Sequence, residues 1–142
     1  MIYTNSDGGA RGNPGPGAIG VIVRDEGKIL TKYRGFIGRN VTNNIAEYEA
    51  LIKALELASN YTKEVTCYLD SELVVKQLLG EYRVKNPILL ELFLKVQRLQ
   101  ENFDRIIYQH VRREDKFQQI ADEILNEELD KEVGPRKFIK KK

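Results

Sequence analysis

Val65-Thr66-Cys67-Tyr68-Leu69-Asp70-Ser71-Glu72-Leu73-Val74-Val75-Lys76-Gln77-Leu78-Leu79-Gly80 changes its apolar period in the middle. Val65, Cys67 and Leu69 alternate with Thr66, Tyr68 and Asp70, the period-two pattern of a strand with two unlike faces. From Ser71, a good N-cap, the period lengthens: Leu73, Val74, Val75, Leu78 and Leu79 recur at helical spacing until Gly80 stops them. Asp70 therefore stands at the carboxyl end of a strand, where open α/β sheets place their ligands. An aspartate beside an N-cap is also a common surface feature. Its meaning depends on which other carboxylates the chain brings to it.

Upstream, Met1 to Asp7 reads as a first strand that also ends on a carboxylate. Gly8 to Gly17 follows, too rich in Gly and Pro for helix or central strand, and suited to exposing backbone N–H groups to a phosphate-sugar chain. It lacks the lysine-hydroxyl ending of a P-loop. Ala18–Arg24 and Lys28–Ile37 are strand-like runs around Asp25-Glu26-Gly27, a hairpin signal. Thr42-Asn43-Asn44 caps a long helix whose stripe is Ala46, Ala50, Leu51, Ala54, Leu55 and Ala58. Glu47 falls in its first turn, where a glutamate commonly completes a capping box, here with Asn44.

Downstream, Asn86-Pro87 opens a helix with core face Ile88, Leu92, Val96, Leu99 and Phe103. Arg105–Val111 reads as the last strand, with His110 as a packed residue. A final helix carries Phe117, Ala121, Ile124 and Leu125, with Asp122 at the flank of that stripe. The order is β-β-β-α-β-α-α-β-α.

The chain has 142 residues, 42% of them hydrophobic, which predicts one folded domain. No apolar run approaches the ~20 residues of a membrane span, and the N-terminus enters a strand without a signal-peptide pattern. Cys67 is the one cysteine, so an intrachain disulfide and a thiolate metal cluster are excluded, and a reducing cytoplasmic location is expected. The net charge of +2 hides an asymmetry, because Arg136, Lys137, Lys140, Lys141 and Lys142 leave −3 on residues 1–135. A basic tail suits phosphate binding, or serves only to solubilise the chain end. Four acids at element junctions, with no thiolates and no histidine pair, suit Mg²⁺ or Mn²⁺ rather than zinc.

Five motifs stand in register along the chain: Asp7-Gly8-Gly9-Ala10-Arg11-Gly12-Asn13-Pro14-Gly15, Thr42-Asn43-Asn44-Ile45-Ala46-Glu47-Tyr48-Glu49-Ala50-Leu51, Asp70 to Leu78, Gly80 to Pro87, and Ala121-Asp122. Together they resemble the type 1 ribonucleases H over roughly residues 1–130. The resemblance is to the short archaeal and Gram-positive-like branch, which lacks a basic helical handle between Gly80 and Pro87. It implies an α/β, ribonuclease H-like fold: a mixed five-stranded sheet of order 3-2-1-4-5, strands one to three antiparallel, helices on both faces. Residues 1–132 would be the catalytic domain and 133–142 a basic C-terminal tail.

The resemblance further implies hydrolysis of the RNA strand of RNA–DNA hybrids by a monomer, leaving 5′-phosphate and 3′-hydroxyl ends. Double-stranded RNA is a second candidate substrate. Position by position, Asp7, Glu47, Asp70 and Asp122 would be the catalytic tetrad holding two Mg²⁺ (or Mn²⁺) ions. Gly8, Gly9, Ala10, Arg11, Asn13, Asn43, Asn44 and Ser71 would bind substrate. Some positions depart from the family pattern. The loop before Asp122 carries Arg112 and Arg113 in place of a catalytic histidine. Arg113 matches the arginine of a histidine-free branch, and as a guanidinium it suits holding a phosphate rather than taking a proton. Gln118 stands where the family usually has Asn, Glu72 where Gln is common, and tryptophan is absent. A hybrid-binding module without turnover would need a lost acid. A resolvase or integrase core would not need the asparagine-rich and glycine-rich motifs.

Overall fold

The apolar periods become elements in the order in which they occur. The computed structural model describes residues 1–135. Its elements are β1 (Ile2–Ala10), β2 (Gly15–Asp25), β3 (Lys28–Val41), α1 (Asn43–Ala58), β4 (Glu64–Leu69), α2 (Glu72–Leu78), α3 (Pro87–Gln100), β5 (Arg105–His110) and α4 (Lys116–Val133). The strands form one sheet in the order β3-β2-β1-β4-β5. β1, β2 and β3 pair antiparallel, while β4 runs parallel to both β1 and β5. This is the mixed sheet that the resemblance implies.

Local chemistry sets the boundaries. A two-residue turn, Glu26-Gly27, joins β2 to β3, with Glu26 at φ 52°. Thr42, Ser71, Asn86 and Asp115 cap the four helices, each side chain accepting a backbone N–H from the first turn. Pro87 opens α3 where no N–H is needed.

Two glycines place the helices that flank the sheet. A Cβ on Gly8 would lie 2.1 Å from the Ala46 carbonyl oxygen of α1. One on Gly20, the cross-strand partner of Asp7, would lie 2.1 Å from the Ala121 oxygen of α4. Successive strand residues point to opposite faces, so α1 and α4 press on opposite sides of the sheet at the level of Asp7. The main core lies on the α1 side, where Tyr48, Leu51 and Leu55 meet Cys67 and Leu69 of β4, Val74 of α2 and Val96 of α3. Ala46, Ala50, Ala54 and Ala58 are wholly buried, so small residues bring α1 close. Burial pushes the Cys67 thiol up to about 12, which keeps it a neutral packing group.

Several expectations need correction. Gly8, Gly9 and Ala10 are not loop: β1 continues through them, pairing with Ile19, Ala18 and Gly17. Glycine weakens a strand by entropy, but here one of the two is needed where α1 touches the backbone. Only Arg11–Pro14 lies between the strands. β3 runs on to Val41, and β4 is buried on both faces, with Thr66 only 6% exposed. In α3 Val96 is buried as expected, but at the start of the helix Leu89 turns inward while Ile88 is 56% exposed. His110 is exposed rather than packed. The α4 helix extends to Val133, one residue past the expected domain end, and the basic positions 136–142 lie outside the described residues.

Candidate active site

Four elements each deliver one acid to the carboxyl edge of the central strands. Asp7 comes from β1, Glu47 from α1, Asp70 from the end of β4 and Asp122 from α4, and all four line one cleft of about 390 Å³. Asp7, Glu47 and Asp70 each offer an oxygen within 4.8 Å of the others. Glu47 is not in the first turn, as expected, but one turn further in, and it makes no capping box. Thr42 is the N-cap, with the Ile45 N–H as its partner. The Glu47 Oε1 instead accepts the Gly8 N–H at 3.1 Å. Its Oε2 is buried and has no hydrogen-bond partner among the described residues.

Asp7 and Glu47 are 5% and 7% exposed. Burial first, then the charges of Glu47 and Asp70, push the Asp7 carboxyl far above the usual carboxylate range. Burial and Asp70 push Glu47 the same way, opposed by Asp7 and by the Gly8 N–H. Asp70 is raised by burial and drawn back by Arg113, whose Nε lies 3.8 Å from its Oδ2. An all-oxygen donor set, crowded like charges and an unpartnered buried oxygen together fit a hard divalent cation.

Comparison with known proteins gives the same direction. Residues 5–126 match a family model described as reverse transcriptase-like. Ribonuclease HI of Halobacterium salinarum is 40% identical over 131 residues, covering 91% of this chain and 64% of that protein. The bifunctional protein Rv2228c of Mycobacterium tuberculosis is 39% identical over 132 residues, 91% of this chain but 35% of that protein. The chain thus spans about a third of the mycobacterial relative and just under two thirds of the halobacterial one. A solved LC11-RNase H1 in complex with RNA/DNA hybrid superposes with a TM-score of 0.86 at 42% identity, covering 92% of this chain and 98% of that one. This chain belongs to the type 1 ribonuclease H family.

The remaining positions singled out in this ribonuclease H sequence divide between two hollows. Gly8, Gly9, Ala10, Arg11, Asn43, Ser71 and Arg113 line the carboxylate cleft. Asn13 and Asn44 do not. They line a neighbouring hollow of about 440 Å³ with Thr42, Asn86 and Ile88, and Asn43 borders both. Asn43 and Asn13 lash the two regions together: the Ala10 N–H donates to Asn43 Oδ1 at 2.9 Å, and the Asn43 N–H donates to Asn13 Oδ1 at 3.0 Å. Ser71 Oγ accepts the Val74 N–H at the start of α2. The Arg11 guanidinium turns to the end of α4, donating to the Gly134 carbonyl at 2.9 Å and pairing with Asp130. Arg113 is 81% exposed at the rim.

Some site residues escape the sequence reading. Asn126 lines the cleft and donates to the Asp122 carbonyl, and its spacing of four from Asp122 is the signal for it. Asn86 lines the second hollow although its evident duty is to cap α3. His110 sets its Nε2 3.2 Å from the Asp70 carbonyl, because β5 ends beside β4 with Leu69 paired to His110.

Proposed function

We propose that this chain hydrolyses the RNA strand of RNA–DNA hybrids with two divalent ions, Mg²⁺ in the first place and Mn²⁺ as an alternative, leaving 5′-phosphate and 3′-hydroxyl ends. The observation that carries the reading is the meeting of Asp7, Glu47 and Asp70 within 4.8 Å, with Glu47 Oε2 buried and unpartnered among the described residues. Asp7, Glu47, Asp70 and Asp122 would hold the ions. Bound there, the ions supply activation of the attacking water and stabilisation of the departing 3′ oxygen.

The chain's own residues orient the duplex. Gly8, Gly9 and Ala10 keep the strand low, so a nucleic-acid backbone approaches the carboxylates closely. Asn13 and Asn43 use their Oδ1 atoms within the protein, which leaves their amide N–H groups for 2′-hydroxyls and base edges in the minor groove. Asn44 adds a third amide on the same hollow. Arg113 reaches out from the rim as a permanent cation for a phosphate and cannot act as a base. Arg11 and Ser71 shape the cleft wall beside Asp122 and Asp70.

We further read residues 1–133, to the end of α4, as the catalytic unit, and 134–142 as a tail that adds non-specific phosphate affinity. All four acids come from this chain, and we read it as acting as a monomer. A buried unpaired Cys67 suits a reducing cytoplasm. No helix among the described residues is long and apolar enough to cross a membrane.

The test is strand-resolved. A labelled hybrid, a double-stranded RNA and a double-stranded DNA are incubated in Mg²⁺ and in EDTA. Cleavage of the RNA strand of the hybrid, abolished by EDTA, is expected. Cleavage in EDTA, or of the DNA strand, overturns the reading; cutting of double-stranded RNA widens the substrate class without changing the chemistry.

A further inference from the structure

We infer that Gln118 is a positioning residue: a buried chain from Arg24 through Asn5 and Gln118 to the Ser6 carbonyl sets the register of α4 on β1, and with it the place of Asp122 opposite Asp7. This deepens the metal reading above and rests on it.

The geometry is a ladder. Asn5, Asp7 and Gly9 alternate along β1 and share the face toward α4, and a Cβ on Gly9 would lie 3.6 Å from Leu125 Cδ1. On α4, Gln118, Asp122 and Leu125 stand one above another on the facing side. Two strand residues rise about 6.7 Å and four helix residues about 6.0 Å, so fixing one rung nearly fixes the next. The first rung is the bond from Asn5 Nδ2 to Gln118 Oε1, 3.1 Å. Asp7 and Asp122 form the second, in the cleft.

Gln118 is wholly buried and uses both ends of its amide. Its Nε2 donates to the Ser6 carbonyl, one residue before Asp7, at 2.8 Å. Asn5 is held in turn, its Oδ1 accepting from Arg24 Nε at 3.0 Å. The Arg24 guanidinium lies 3.9 Å from the centre of the Phe117 ring and 4.8 Å from that of Tyr3. The close approach of Gly20 to the Ala121 backbone fixes how near α4 sits, but a packing contact without a directional bond resists sliding weakly. Hydrogen bonds do not: a slip of one residue, about 1.5 Å, strips both bonds from buried groups. The extra methylene of Gln over Asn supplies the reach from α4 to both β1 partners.

The test separates register from stability. Gln118→Met keeps length and helix propensity but removes the amide. Val96→Ala, in the core under α3 and away from the cleft, serves as a destabilised control. Mn²⁺ affinity is read on the whole chain by electron paramagnetic resonance, and the rise in Tm on adding Mg²⁺ is read alongside. Gln118→Met is expected to weaken Mn²⁺ binding about 10-fold or more, in the range that outer-sphere partners of metal ligands carry. Val96→Ala is expected to lower Tm and leave the Mn²⁺ affinity unchanged. If Gln118→Met does not fold, Gln118→Asn makes the same comparison and is expected to shift the affinity in the same direction. Unchanged Mn²⁺ affinity in the Gln118 variant, or an equal loss in Val96→Ala, overturns the inference alone. A wild-type chain that binds no Mn²⁺ overturns the metal reading and this inference with it.

Discussion

Replacing Asp7 by Asn should make the metal-free protein more stable. Asp7, Glu47 and Asp70 crowd within 4.8 Å, and burial and mutual repulsion raise the carboxyls of Asp7 and Glu47. An acid whose pKa is higher folded than unfolded keeps its proton longer in the native state. Stability from this cluster is therefore greatest at about pH 4 and falls as pH rises, by up to ~1.4 kcal/mol per pH unit for each proton held. Between pH 4 and pH 7 that amounts to ~4 kcal/mol at most for each proton held. Coulomb's law agrees in size, since two charges 4.8 Å apart at an effective dielectric of ~20 repel by ~3.5 kcal/mol. Asn keeps the shape of Asp7, removes one charge and can donate to the orphaned Glu47 Oε2. In EDTA at pH 7 the variant should gain ~2–4 kcal/mol, or about 7–13 °C in Tm for a chain of this size. The assay is thermal unfolding at pH 4 and pH 7, with EDTA and with Mg²⁺. The gap should close at pH 4, and should narrow in Mg²⁺ because the wild type alone gains fully from the ions. A variant no more stable than wild type in EDTA at pH 7, or a gap independent of pH, refutes the reasoning.

Arg113→Ala should lower turnover without changing the Mg²⁺ concentration for half-maximal rate, as measured by metal titration, because Arg113 is 3.8 Å from Asp70 yet mostly exposed. Asn43→Ala should slow cutting of a DNA duplex with a short ribonucleotide run more than cutting of a long hybrid. The ratio of the two rates checks this, and an unmoved ratio limits Asn43 to bracing Ala10. Removing residues 136–142 deletes five positive charges and should flatten the salt dependence of hybrid binding while chemistry survives; titrations at several salt concentrations read the slope.

Periodicity made the helices legible, because apolar spacing and capping residues are local and strong. The Ser71 cap, the Asn86-Pro87 start and the alanine stripe of α1 lie where the sequence places them. Glycine is not legible in sequence where its use is tertiary. Gly8 looks like loop in sequence, and only the Ala46 carbonyl beside it explains a glycine inside a central strand. Glu47 was legible as an acid near a helix start, but its partner is the Gly8 N–H on another element, which no local pattern encodes. The same limit applies to Gln118: the sequence marks it as a departure near Asp122, but not its two partners, which stand on β1 more than a hundred positions away. A period-two pattern does not reveal that β5 lies at the sheet edge, which leaves His110 exposed.

If these carboxylates hold the ions that cut the RNA strand, neutralising one of them should separate binding from cleavage. Asp70→Asn keeps the size of a side chain that lies beside Asp7, Glu47 and Arg113 while removing its charge. Hybrid binding in EDTA and single-turnover cleavage in Mg²⁺ are measured on the same preparation. Binding within a few-fold of wild type, with cleavage lowered by at least about a hundredfold, is the expected result. Cleavage within a few-fold of wild type contradicts the claim.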